Sequence, residues 1–128
     1  MKNRYVSLSI ALMAGLGLGM FAVQELQAQS KGPAYAITGL EISNMKGYQE
    51  EFLPLLRKTL EMYGGRIIAV GKPTSISGDG PKTLAAIIAF DSMEKTMAWA
   101  NSAEYQAAGK IRDKYAKIVS YALQGTGK

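Results

Sequence analysis

The sequence predicts an α+β subunit, a βαββαβ unit whose four strands form one antiparallel sheet with the helices on one face. Three observations carry this. Apolar residues recur at steps of three and four in two separate stretches, around Tyr48–Tyr63 and around Met93–Tyr115, as amphipathic helices require. Four short runs rich in Ala, Ile, Val and Leu flank them, which suits strands. Finally, Tyr63-Gly64-Gly65-Arg66 joins helical spacing directly to the run Ile67-Ile68-Ala69-Val70. Paired glycines let a chain leave a helix through positive φ without a Cβ clash, then reverse into a sheet.

The N-terminus precedes this unit. Lys2 and Arg4 lead into an uncharged apolar run, Tyr5–Val23, followed by Leu26-Gln27-Ala28. A basic start, an apolar middle and a small-residue end read as a secretory signal peptide over residues 1–28. That places the protein in the periplasm or outside the cell. An uncleaved membrane anchor is the rival reading, since the run is about long enough to span, although Ser7, Ser9, Gly15, Gly17 and Gly19 dilute it. Any membrane contact is expected through this segment alone. Residues 29–33 form a polar, flexible leader, and the domain runs from 34 to 125.

Ala34–Ile42 is the first strand. Asn44 caps the first helix, and Tyr48, Phe52, Leu55, Leu56, Leu60 and Tyr63 form its inner face. Pro54 predicts a kink or a restart. Arg66–Val70 is the second strand, with Thr74–Ser77 as a possible continuation beyond Gly71-Lys72-Pro73. Gly78-Asp79-Gly80-Pro81 is a turn. It is not a phosphate loop, because Lys82 lacks the G-x-x-x-x-G-K-[ST] setting and no helix pattern follows. Thr83–Phe90 is the third strand. Asp91 is read as the cap of the next helix, with Glu94 completing a capping box. Ser102 opens a further helix through Tyr115, and Ile118–Gly125 is the last strand. This order is that of the ferredoxin-like fold.

Composition removes whole classes of chemistry. The chain has no Cys and no His. Disulfides, thiolate nucleophiles, lipid attachment to Cys, and the most common metal, haem and general-base ligand are therefore excluded. No metal or cofactor is expected. Cleavage after Ala28 would take Lys2, Arg4 and Glu25 from the 15 basic and 10 acidic side chains, leaving 13 and 9 and a net charge of +4. This mild charge is spread out. Lys110, Lys114 and Lys117 share a helical face that solvation explains, so no nucleic-acid partner is expected.

The strands carry a further message. Leu84–Phe90 contains no polar residue, and Ile67–Val70 behaves alike. Helices on one face can cover only half of such side chains. A second copy of the sheet, packed face to face through a twofold axis, would cover the rest. A homodimer with an apolar space between its sheets is therefore expected.

The motifs Tyr63-Gly64-Gly65-Arg66, Gly71, Pro73, Gly78, Ile87-Ile88-x-Phe90, Ala98-Trp99 and Ser102-x-Glu104-Tyr105-Gln106-Ala107 resemble the family called "domain of unknown function 1330". The resemblance spans about Ala34–Gly125. It implies membership of the dimeric α+β barrel superfamily, with a ferredoxin-like subunit and paired sheets. The chain departs from the family pattern near Val70, where a second arginine is common, and at Ala89, where an acidic residue is common.

Six residues are candidates for a ligand site: Tyr35, Arg66, Trp99, Glu104, Tyr105 and Arg112. Arg66 can clamp an anion through its planar fork, or pair with Glu104 or Asp91. Tyr35, Trp99 and Tyr105 can line an aromatic pocket or simply pack in the core. Glu104 is an acid–base candidate if buried, or a partner of the helix dipole. Arg112 can bind a ligand anion or join a surface ion pair. Three functions fit. One is binding of a small apolar or anionic molecule between sheet and helices or between paired sheets. Another is cofactor-independent monooxygenase or isomerase chemistry, by analogy of fold alone. The third is a purely structural dimer with a filled, dry interior.

Overall fold

The computed structural model describes residues 32–127. The signal peptide expected over residues 1–28, and most of the expected leader, lie outside the described residues. Strand β1 (Ala34–Ile42) is followed by a short helix α1 (Met45–Gly47), a π-helical segment (Tyr48–Phe52) and helix α2 (Leu53–Tyr63). Strands β2 (Arg66–Gly71) and β3 (Leu84–Phe90), helices α3 (Met93–Ala100) and α4 (Ala103–Arg112), and strand β4 (Ala116–Gln124) complete the chain. The sheet order is β2-β3-β1-β4, and every pairing is antiparallel. This is the ferredoxin-like α+β arrangement. At the end of the leader, Gly32 and Pro33 are held to β4: Gly125 N donates to the Pro33 carbonyl at 2.8 Å, and Gln124 Nε2 to the Gly32 carbonyl at 3.2 Å.

Register divides the sheet into two faces. Ala36, Thr38 and Leu40 of β1 stand opposite Ile88, Ala86 and Leu84 of β3 and opposite Ala122, Ser120 and Ile118 of β4. These residues lie under the helices, and Ala36, Leu40 and Ile88 belong to the core with Tyr48, Phe52, Leu56, Leu60, Phe90 and Trp99. Tyr35, Ile37, Ile87, Val119, Tyr121 and Leu123 alternate with them and form the face the helices do not cover. Val119, Tyr121 and Leu123 there are 69%, 55% and 52% exposed.

The turn at Gly64-Gly65 uses its two glycines for different reasons. Gly64 takes a left-handed conformation, φ 76°, as the helix cap. Gly65 lies so close to Leu60 and Phe90 that a Cβ would stand 2.7 Å from a carbon of each.

Four local expectations change. Asp91 does not cap α3. Ser92 does, accepting from Lys95 N at 3.1 Å, because Asp91 pairs with Arg66 and Lys95 instead. Thr74–Ser77 forms no strand. Helix α4 ends at Arg112, short of Tyr115. The break expected at Pro54 falls just before it, as the π-helical segment, in which Leu53 N bonds to the Tyr48 carbonyl. Pro54 itself lies in the first turn of α2, directly after this segment. Ser102 caps α4 as expected, accepting from Tyr105 N.

Candidate functional site

The helix layer does not fill the space above the sheet. A cavity of about 250 Å³ lies between the π-helical segment, α2 and α4 on one side and the covered sheet face on the other. Its lining is mostly apolar, including Leu40, Phe52, Leu56, Leu84 and Ile88. The size falls just below the roughly 300–1,000 Å³ of sites for drug-sized ligands, so the cavity suits a small one.

Polar groups gather at one wall. Arg112, at the last turn of α4, is only 9% exposed. Its Nη1 donates to Tyr105 Oη at 2.9 Å, and Nε and Nη2 donate to Asp113 Oδ1 at 3.1 and 3.0 Å. The guanidinium lies 5.7 Å from the Phe52 ring centre and 5.8 Å from that of Tyr105, within reach of cation–π attraction. The five N–H groups of arginine are thus only partly used, and two have no partner among the described residues. Tyr48 also lines the cavity and is 4% exposed. Its hydroxyl likewise finds no hydrogen-bond partner among the described residues. Burial pushes the Tyr48 and Tyr105 hydroxyls above the ordinary tyrosine range, and the nearby Arg112 charge opposes this in both. On the floor, Thr38 faces Ser120 across β1 and β4 with their hydroxyls 3.1 Å apart.

Trp99 holds the site from behind. Its indole Nε1 donates to Thr59 Oγ1 at 3.0 Å, and its ring lies 4.0 Å from Tyr105 and 5.2 Å from Phe90, centre to centre. A second space of about 440 Å³, between α3, α4 and β4, shares Trp99, Tyr105 and Arg112 as a wall with the first. The Tyr105–Arg112 hydrogen bond therefore stands between the two spaces.

The six candidate residues divide into two groups. Trp99, Tyr105 and Arg112 meet at the cavity. Tyr35 lies on the uncovered sheet face, opposite Ala89 and Leu123. Arg66 pairs with Ala89 on that same face, and its Nη1 is 3.4 Å from Asp91 Oδ1 with both side chains largely exposed. Of the two ion pairs open to Arg66, the one with Asp91 forms. Glu104 is exposed and accepts from Tyr63 Oη at 3.3 Å. Arg112 does form an ion pair, with Asp113: the guanidinium is buried, but the carboxylate is 61% exposed. Tyr48 was not among the candidates. The signal that points to it is a hydroxyl on an otherwise apolar helical stripe, Tyr48-Phe52-Leu56, where burial would strand the oxygen. Among the described residues no helix is long and apolar enough to cross a membrane, and no group of three metal-ligating side chains occurs.

The fold and this site define a ferredoxin-like α+β subunit with an apolar chamber between its layers and a buried cation at one end. The chain belongs to the family described as "Domain of unknown function (DUF1330)", whose pattern it matches over residues 33–126. Among solved structures it is similar to a protein of unknown function from Rhodopseudomonas palustris, with a TM-score of 0.62 at 14% identity over 82% of this chain and 92% of that one. It is also similar to an ethyl tert-butyl ether d (EthD) family protein from Bacillus halodurans, with a TM-score of 0.54 at 19% identity over 73% and 98%. At these identities the likeness is one of fold. No curated protein matches the chain.

Proposed function

We propose that the protein binds a small molecule with an apolar body and one anionic end, held between the helix layer and the sheet. The observation that supports this is Arg112, a buried guanidinium at the wall of an apolar cavity with N–H groups to spare. A buried donor without a partner costs about 1–3 kcal/mol, more when charged. A carboxylate would satisfy the spare Arg112 donors, and the Tyr48 hydroxyl could donate to it as well. Hydrogen bonds between ionised partners are the stronger kind.

Trp99 is the sole tryptophan of the chain and lines the cavity, so its fluorescence reports on occupancy. Titration with hexanoate, benzoate and phenylpropionate, with the matching alcohols as controls, tests the reading. The acids are expected to change Trp99 emission and raise the melting temperature, the alcohols much less. Failure of every acid to do either would overturn it. Enzymatic turnover finds no separate support in this geometry.

The same proposal includes a homodimer and export. The exposed Val119, Tyr121 and Leu123 support a twofold partner laid against the uncovered sheet face, because each large apolar side chain fully buried gains roughly 1.5–3 kcal/mol. Placement in the periplasm or outside the cell rests on the signal-like residues 1–28.

A further inference from the structure

We infer that the ligand is a linear, long-tailed carboxylate whose head reaches Arg112 and whose tail leaves the cavity over an apolar rim of Met45, Ile67 and Val70. This rests on the binding reading above and adds the ligand's shape and the end that enters first.

The rim is the first ground. Met45, Ile67 and Val70 are 40%, 41% and 61% exposed, yet all three line the same cavity. The cavity therefore opens to solvent between the edge strand β2 and the start of the helix layer, and it opens through apolar side chains. Exposed apolar groups scattered singly need no explanation, but a cluster continuous with a binding cavity does.

The second ground is how β2 is built. In a regular strand, residues 67 and 69 would share a face. The β2–β3 register shifts between Ile67 and Ala69, so that Ile67 lies opposite Ile88 and Val70 opposite Ala86. Both partners belong to the covered face. The bulge thus turns two large apolar side chains, three positions apart, toward the cavity mouth. Bulges commonly re-aim a side chain in this way beside functional sites.

The third ground is the placement of charge. Arg112 is buried, whereas Arg57, the other cation on the lining, is exposed. A carboxylate on a solvated arginine gains little, because water competes for both partners. The head therefore goes to Arg112, and the tail points back to the mouth. A compact aromatic acid would leave the rim wet. A linear tail would cover it.

The test is a series of dissociation constants for butanoate through dodecanoate, kept below their micelle concentrations and read by Trp99 fluorescence. Affinity is expected to rise by about twofold to fourfold per methylene and to keep rising through dodecanoate. Val70→Asp, at an exposed edge position of the rim, should weaken the longer acids more than the shorter ones and so flatten the series. Arg112→Gln should weaken all acids by at least about tenfold, with Arg112→Lys recovering part of the loss. Arg57→Gln should leave them within about twofold. A plateau at hexanoate with no effect of Val70→Asp overturns the tail and leaves the binding reading standing. Loss of binding in Arg57→Gln with none in Arg112→Gln overturns the orientation. No binding by any acid overturns both readings.

Discussion

The Thr59 hydroxyl connects the wall of the cavity to helix α2, and its removal has a calculable effect. It accepts from Trp99 Nε1 at 3.0 Å and donates to the Leu56 carbonyl at 2.8 Å. Thr59 and Trp99 are 4% and 2% exposed, so water cannot replace either partner without the core opening. Thr59→Val keeps the branched shape at Cβ but removes the acceptor. The indole N–H is then buried and unpaired, at a cost of about 1–3 kcal/mol. The Leu56 carbonyl loses only a second donor, because it lies in α2 and keeps the helical one. Against this, an apolar methyl replaces a buried hydroxyl, which offsets a fraction of a kcal/mol. The net expectation is about 1–2 kcal/mol, or roughly 4–16 °C in melting temperature for a domain of this size. Packing changes alone could mimic such a loss, so the decisive measurement is a double-mutant cycle. Thr59→Val is compared in the native and Trp99→Phe backgrounds by urea unfolding followed by far-UV circular dichroism, at one protein concentration. Without the indole there is no stranded donor, and the cost of Thr59→Val should fall by at least about 1 kcal/mol. A coupling below about 0.5 kcal/mol, the usual scatter for independent sites, would refute the account of Trp99 as anchored by Thr59.

The other expectations concern the turn, the uncovered face and alkaline pH. Gly65→Ala should cost about 1–3 kcal/mol by overpacking, since its Cβ would stand 2.7 Å from Leu60 and from the fully buried Phe90. Gly64→Ala meets nothing within 4 Å but keeps φ at 76° and should cost about 1 kcal/mol, both read from urea midpoints. Tyr121→Glu should give a folded monomer in light scattering and the native chain a dimer, and a native monomer would refute the twofold pairing. The buried Tyr48 and Tyr105 hydroxyls titrate above the ordinary tyrosine range, so the folded chain keeps protons that the unfolded chain loses. Stability should therefore hold below about pH 10 and fall as pH rises through the raised folded values. Tyr48→Phe and Tyr105→Phe should each flatten that fall in urea midpoints taken across the alkaline range.

Much of the architecture was legible because local signals agreed with the global fold. Strand β1 begins and ends where its apolar run does. The Gly64-Gly65 joint and the Ser102 cap are local chemistry, and the structure uses both. The Asp91 cap misled because Asp91 and Ser92 are both good caps, and only the position of Arg66 across the sheet decides between them. The candidate site was half legible for a related reason. Residue type marked Trp99, Tyr105 and Arg112 among the six, and all three lie on the helical pair that the structure sets against the cavity. It could not tell which face of a strand Tyr35 and Arg66 occupy.

Face assignment in a sheet depends on register, and one shifted residue reverses it for everything beyond. In β2 the shift lies between Ile67 and Ala69. Arg66, before the shift, stands on the uncovered face beside Asp91, while Val70, after it, stands on the covered face at the cavity mouth. Without the bulge, strict alternation from Arg66 would send Val70 to the uncovered face with it. The cavity would then lose an apolar wall residue, and the uncovered face would gain one. A bulge costs ladder hydrogen bonding, so its presence in an edge strand with few other constraints argues that the mouth, and not only the sheet, shapes this segment.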